Sequence, residues 1–354
     1  MSDDVSQDVL TFVEGGVGRI RLNRPKAIHA LTHGMCTTMI EALSSWASDP
    51  AVYLVMLDHV EGRGFCAGGD IRLIAESANG DGAAARAFFH EEYRLNHFLF
   101  TYAKPTVAFM DGITMGGGVG ISQPCRYRIV TERTVYAMPE TGIGLFTDVG
   151  AGRYLTRMPG RMGQYVGLTG ARLNGAECLA LGLGTHYVAS DAIDGLKAVI
   201  LAGPGTIDNE LRSAVATLPP APILDHQGDI DRLFASDQLE DILAALAEDG
   251  GEWALATLNT LQSKSPQSCK IVLRHLAESA KIEDFAAEMA LEYGLAAHIV
   301  EQPDIVEGVR ALIVDKDNAP KWNPATPAAV SRAAIDAIFA PLPREQAWTP
   351  FAAS

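Results

Sequence analysis

The sequence predicts an α/β fold, a core of stacked ββα layers followed by a helical C-terminal region. Three observations carry this. A strand-length apolar run, a Gly-rich turn and a helical stretch follow one another in VYLVML with GRGFCAGGDIRLI, and the same pattern recurs in PTVAFMDGITMGGGVGIS. Repeated units of this kind stack to bury their apolar faces. After about Ser190 the chain turns alanine-rich and helical, as in DIDRLFASDQLEDILAALAEDG and SPQSCKIVLRHLAESA. The expected division is 1–190 for the layered core and 191–354 for helices that bury their single apolar faces against it.

The elements follow in order. Val9 to Leu22 alternates in polarity around Gly15-Gly16, the pattern of a β-hairpin. Asn23-Arg24-Pro25 breaks it, and Thr32 is placed to cap a helix. Val52–Leu57 reads as a buried strand, and Ala83–Tyr102 as a helix with one apolar face. RYRIV and VYAM read as a further strand pair. Short helices are expected over 160–169 and 176–181, the second started by Asn174-Gly175, before GLGTHYVA returns to a strand. The Pro-rich segment 217–225 is a linker or lid between helices, and KDNAPKWNPATPAAV is irregular.

Composition excludes several functions. Lys and Arg number 28 against 43 Asp and Glu, a net charge of −15, so a nucleic-acid binder with a basic face is not expected. The apolar runs are strand-length, too short to span a membrane. The acidic start MSDDVSQDV resembles neither a secretory signal nor a transit peptide. Five scattered cysteines without a CxxC pair argue for a reducing cytoplasm and against a zinc site. The nine histidines show no HxxxH or HExxH spacing, so no metal is expected.

The stretch from Gly112 to Gly152 concentrates the chemistry. Gly68-Gly69 and Gly116-Gly117-Gly118 each end a strand and precede a helix. As lone features they are tight turns. In equivalent layers they can aim two backbone N–H groups at one point, an oxyanion hole. Neither makes a dinucleotide or phosphate-loop motif, and no GxSxG elbow is present. Glu140 follows Pro139 among apolar neighbours, where a carboxyl has a raised pKa and serves as acid, base or nucleophile. Asp148 lies eight positions on, and a turn-forming role competes with a chemical one. Glu92, on the helix before Lys104-Pro105, reads from sequence as a surface charge. Arg126, Arg128 and Arg133 read as solvated strand positions. Lys264, Lys270 and Arg274 are the better candidates for an anionic ligand, against a solvated helix face.

GRGFCAGGDIR, GITMGGGVGIS and YAMPETGIGLFTDVGAG together resemble the crotonase (enoyl-CoA hydratase/isomerase) superfamily. EEYRLNHFL, SKSPQSCKIVLRHL and MALEYGLAAHIV extend the resemblance over nearly the whole chain, toward the superfamily's 3-hydroxyisobutyryl-CoA hydrolase branch. The resemblance implies a crotonase-type spiral and an acyl-CoA thioester substrate, with CoA part of the substrate and no separate cofactor. It implies a thioester carbonyl held between the N–H groups of Gly69 and Gly117. Ala67, Gly68, Asp70, Ile71 and Gly116 would line the substrate, Glu140 would be the catalytic carboxylate, and Asp148 and Glu92 further substrate-site acids. The implied reaction is hydrolysis of a short 3-hydroxyacyl-CoA in valine catabolism, with an enoyl-CoA hydratase or isomerase as the alternative. It also implies a trimer or hexamer, whose interface the C-terminal region is able to cap. Two positions depart from the patterns. Hydratases carry a first glutamate where this chain has Gly120, and Gly294 stands in EYGL where an arginine is expected.

Overall fold

The computed structural model describes residues 8–214 and 216–351. The acidic leader 1–7 and the end of the tail, 352–354, lie outside the described residues. Strands β1 (Val9–Glu14) and β2 (Val17–Leu22) form the antiparallel hairpin. Its turn residues Gly15 and Gly16 have φ of 58° and 78°, which favour glycine. Then come β3 (Leu54–His59), β4 (Gly64–Cys66), β5 (Thr106–Met110), β6 (Ile113–Met115), β7 (Tyr127–Val130), β8 (Val135–Ala137) and β9 (His186–Tyr187). A six-stranded sheet has the order β1-β2-β3-β5-β7-β9, and a three-stranded sheet the order β4-β6-β8. Every pairing after the hairpin is parallel.

The topology is a spiral. Three strands of the first sheet, β3, β5 and β7, are each followed by a short strand of the second and then by a helix or helical turn. β3 and β4 lead to α2 (Ile71–Ala78), and β5 and β6 to α4 (Gly117–Ser122). β7 and β8 lead to a 3₁₀ turn at Glu140–Ile143. Because β4, β6 and β8 pair in parallel and in sequence, their C-terminal ends lie side by side. The turns at 67–70, 116 and 138–140 therefore converge, which local sequence separation would never suggest.

Two long helices complete the N-terminal part. α1 (His33–Ala47) is capped by Thr32, whose side chain accepts a hydrogen bond from Met35 N at 3.3 Å. α3 (Ala83–Phe100) buries Phe88, Phe89, Tyr93 and Leu95. α5 (Ala151–Leu155) follows the Glu140 segment. Asn174 and Glu177 form a reciprocal capping box at 2.9 and 2.7 Å, starting the helix at Gly175.

The C-terminal helices share the core cluster of the spiral. Helix Phe285–Ile299 packs along α3, helix Pro266–Ser279 against α5, and helix Pro303–Val309 against α2 and the 3₁₀ turn at Glu140. Segment 217–225 ends in a 3₁₀ turn, Pro222–His226, pinned where Ile223 N donates to Glu177 Oε1 at 2.9 Å. Arg128 is not a solvated strand position as its sequence suggests. Its guanidinium is largely buried and donates to the carbonyls of Leu183, Cys125 and Gly182, tying the start of β7 to the loop before β9. An alternating strand gives no warning that a neighbouring loop will cover the outward position.

Candidate active site

The site forms where the three turns converge. Gly68 has φ of 112°, and Gly116 has φ of 48° with ψ of −122°; both conformations favour glycine. The turns touch: a Cβ built on Gly116 would lie 3.3 Å from Gly68 Cα. Leu31 N donates to Gly68 O and Asp70 N to Leu31 O, both at 2.8 Å, so segment 28–31 is laced to the first turn. Ala67 N is bonded to Ile28 O at 2.9 Å. Among the described residues, neither Gly69 N nor Gly117 N donates to the protein. Those two N–H groups stand free at adjoining turns, as an oxyanion hole requires.

The other expected lining residues divide. Ala67, Gly69 and Ile71 are half-buried beside the turn. The Asp70 carboxylate is engaged by Arg24 at 3.0 Å, so its side chain holds the loop. Next to Gly69 lies a cavity of about 500 Å³, walled by Leu31, Leu73, Ile74, Ala85 and Phe88. Phe88 and Ile74 are also the side chains a Cβ on Gly69 would meet, at 2.9 and 3.4 Å.

Three buried carboxyls face this point from three elements. Glu140 begins the 3₁₀ turn, and its Oε1 is 3.2 Å from where a Cβ on Gly116 would be. Glu92 comes from α3, and a Cβ on Gly117 would collide with its Oε1. Glu92 is 2% exposed, so the surface-charge reading is corrected: its side chain points at the glycine turn that opens α4, which packs on that face of α3. Asp148 lies in the turn before α5 and accepts a hydrogen bond from Tyr93 Oη at 2.7 Å. Val149, with φ of 57°, and Gly150, with φ of 85°, make the turn that carries it.

Burial decides the protonation of this group. Burial, and then the neighbouring Asp148, hold Glu140 well above the usual carboxylate range, against a backbone hydrogen bond and Lys264. Glu92 is also well above it, first by burial and then by Asp148 and Glu140. Burial pushes Asp148 up to about 6, with the Tyr93 hydrogen bond opposing. Three carboxyls cannot all ionise in one dry space, and Asp148, with its hydroxyl donor, ionises first. Glu140 Oε2 and Glu92 Oε1 have no hydrogen-bond partner among the described residues, although both are shielded from solvent.

The C-terminal region reaches the site twice. Ser265 N donates to Thr141 O at 3.0 Å, which brings Lys264 over the Glu140 turn. Its Nζ is 3.5 Å from a Cβ built on Gly142. Of the three cations expected to hold an anion, only Lys264 is unengaged. Lys270 is paired with Glu240 at 2.6 Å. Arg274 is paired with Glu278 and Asp336 and stacks over Phe339. Second, Glu292 accepts from Gly150 N at 2.7 Å and Gly152 N at 3.4 Å, behind Asp148. His275 bridges Glu288 and Glu292 at 3.1 and 3.4 Å, and Ser279 donates to Glu288 at 2.6 Å. Burial alone would lower the His275 pKa, but the two glutamates carry it up to about 9. Ligand-type atoms of these three residues lie within 4.8 Å of one another, and the ion pair and backbone donors account for the arrangement. Sequence reasoning missed Tyr93, His275 and Glu292, because their roles depend on helix packing; the hints were the motifs EEYRLNHFL, SKSPQSCKIVLRHL and MALEYGLAAHIV that contain them.

The two departures also find their places. A Cβ on Gly120 would lie 2.7 Å from Val149 Cβ and 2.8 Å from Asn96 Nδ2, so a glutamate side chain has no room there. Gly294 faces open space, beside an apolar cavity of about 370 Å³ between helix Phe285–Ile299 and the C-terminal strap. The expected arginine would project there, away from the carboxyls.

Comparison with known proteins agrees with this geometry. A family profile described as enoyl-CoA hydratase/isomerase matches residues 17–339. A zebrafish (Danio rerio) protein named 3-hydroxyisobutyryl-CoA hydrolase, mitochondrial, is 40% identical over 97% of this chain and 92% of its own. A crystal structure from Mycobacterium thermoresistibile, described as a carnitinyl-CoA dehydratase, is 41% identical with a TM-score of 0.92, over 96% of this chain and 98% of that one. Another from Rhodobacter sphaeroides 2.4.1, described as an enoyl-CoA hydratase, is 36% identical with a TM-score of 0.90, over 97% and 100%. With spiral, converging glycine turns and profile in agreement over nearly its full length, the chain belongs to the enoyl-CoA hydratase/isomerase family.

Proposed function

We propose that this protein hydrolyses the thioester of a short 3-hydroxyacyl-CoA, 3-hydroxyisobutyryl-CoA above others, to the free 3-hydroxy acid and CoA. The carrying observation is the pairing of one buried glutamate, Glu140, whose Oε2 is unpartnered among the described residues, against the glycine turns with a blocked position at Gly120. The relative named as such a hydrolase supports the same substrate.

In this reading the thioester carbonyl accepts from Gly69 N and Gly117 N, and the apolar cavity beside Phe88 takes an apolar part of the substrate. Ala67, Gly68, Ile71 and Gly116 line the approach. The tetrahedral oxyanion draws more from the two N–H groups than the ground-state carbonyl does, which lowers the barrier. Glu140 acts in one of two ways. Its carboxylate attacks the carbonyl carbon, the C–S bond breaks, CoA leaves as thiolate and water opens the mixed anhydride. Alternatively it takes a proton from water that attacks directly and returns that proton to the leaving sulfur. Hydroxylamine trapping of an acyl group on Glu140 would mark the first route. Asp148, ionised and held by Tyr93, orients the polar end of the substrate, with Glu92 beside it. No separate cofactor enters.

The second reading is addition or removal of water, or isomerisation, at an acyl-CoA double bond. The two crystal structures described as a dehydratase and a hydratase favour it. Free-thiol release from (S)-3-hydroxyisobutyryl-CoA, with crotonyl-CoA followed in parallel by absorbance, separates the two. Thiol release with the crotonyl double bond retained supports hydrolysis; loss of the double bond without thiol overturns it. We place the reaction in valine breakdown and in a reducing compartment, the cytoplasm. Fractionation tests the location, since the zebrafish relative is named mitochondrial. Among the described residues no helix is long and apolar enough to cross a membrane. We also propose self-association of the kind the family resemblance implies, which sedimentation tests.

A further inference from the structure

The motif EEYRLNHFL contributes more to the site than Glu92 and Tyr93. Asn96 lies one helical turn beyond Glu92 on α3, so the two share a face. It is fully buried, at 0% exposure. Neither its Nδ2 nor its Oδ1 has a hydrogen-bond partner among the described residues. A buried amide with donor and acceptor both unmet is costly, and a leucine would fill the space without that cost. Its surroundings say where it points. Nδ2 and Oδ1 lie 2.8 and 3.1 Å from a Cβ built on Gly120, beside Val149. Gly120 is one turn along α4 from Gly117, whose N–H is half of the oxyanion hole. Val149 is the neighbour of Asp148. The amide thus stands where the first glutamate of a hydratase would project, between the hole and the Asp148 turn.

We propose that Asn96 is a substrate-binding and specificity-determining residue that holds the 3-hydroxyl of the acyl group. This rests on the hydrolase reading above. A hydroxyl is the smallest group that meets both needs of the amide: its oxygen accepts from Nδ2–H, and its proton is donated to Oδ1. Asp148, on the same side, remains an acceptor for the groups around it. A site built to bond a hydroxyl rejects the analogue lacking it, because the amide is then left unpaired again.

The test compares 3-hydroxyisobutyryl-CoA with isobutyryl-CoA, which lacks only the hydroxyl, in wild type, Asn96→Leu and Asn96→Ala. Wild type should prefer the hydroxylated substrate. Either substitution should lower kcat/KM for it about 10- to 100-fold and leave isobutyryl-CoA nearly unchanged, closing the gap between the two. Asn96→Leu should melt no lower than wild type, since it removes an unmet amide. Asn96→Ala keeps the comparison available if leucine does not fit. An unchanged substrate preference overturns the proposal. An equal loss on both substrates overturns the hydroxyl assignment and gives the amide to the hydrolytic water. A wild type that releases no thiol from either substrate fails the hydrolase reading itself, a result separate from these.

Discussion

Two clusters of buried carboxyls lie on either side of the Asp148 turn, and they are built to opposite rules. Behind the turn, Glu288 and Glu292 share His275, a serine hydroxyl and two backbone N–H groups. In front of it, Glu140, Glu92 and Asp148 have one tyrosine hydroxyl and backbone hydrogen bonds at Glu140 and Asp148 but no ion pair among the described residues, and an oxygen each of Glu140 and Glu92 is unpaired. The rear cluster is an ion network that holds a strained turn in place, built around a buried cation, although His275 Nδ1 and one oxygen of Glu288 are unmet among the described residues. The front cluster is destabilising in the resting protein, and only a bound ligand would relieve it. Burial and unmet polar atoms mark both; the buried ion pair, present behind the turn and absent in front of it among the described residues, tells scaffold from machinery.

The largest expected effect comes from the front. Glu140→Gln should lower the rate of thiol release about 10²- to 10⁴-fold, the usual contribution of a positioned acid or base, while CoA binding is retained. The same change should raise the melting temperature, more at pH 8 than at pH 5. A carboxyl whose folded pKa is raised keeps its proton longer than in the unfolded chain, so stability falls as pH rises above the ordinary carboxylate range. Glutamine removes that dependence. A substitution that slowed catalysis but also lowered the melting temperature at pH 8 would break the comparison.

The rear cluster should behave inversely. Glu292→Ala leaves two backbone N–H groups without their acceptor and His275 with one carboxyl partner instead of two, and should destabilise by about 1–3 kcal/mol, read by denaturant unfolding. His275 contributes with the opposite charge. Its folded pKa is raised from 6.5 to about 9, so its stabilisation is complete below about pH 6.5 and is lost as pH rises through about 9. A flat unfolding profile across that interval would remove His275 from the network.

Lys264 sharpens the comparison at its edge. Its ammonium opposes the upward shift of Glu140. Lys264→Met should therefore move the acid limb of kcat/KM to higher pH; a limb that stays in place would show that Lys264 does not act on Glu140. The smallest effect is expected at Gly294, two residues beyond Glu292 on the same helix but facing open space. Its side-chain direction is open, so Gly294→Ala should stabilise by about 0.5–1 kcal/mol in thermal unfolding with activity unchanged.

Much of the site was legible because its parts are local. Gly68-Gly69 and the triplet at 116–118 are readable as turns whose backbone conformations exclude most side chains. Glu140 is readable from its apolar neighbours, and Gly120 from the family pattern. Glu92 and Arg128 were misread for one reason. A helix or strand position that looks outward is exposed only if nothing from elsewhere covers it. Lys270 and Arg274 were overvalued for the converse reason, since their anions, Glu240 and Asp336, lie at least 30 positions away in sequence.

By itself the sequence determined the layered α/β repeat, the glycine turns, the capped helices and the chemistry type of Glu140 and Asp148. These depend on periodicity, backbone sterics and side-chain type, all of which act over a few residues. Only the tertiary structure decided which of its carboxyls are paired. The spiral brings 69, 117 and 140 to one point, α3 and α4 set Asn96 against Gly120, and a helix more than 140 positions away supplies the acceptor that holds the Asp148 turn. Those outcomes follow from strand pairing and helix packing between distant segments, where desolvation and partner geometry set the energy.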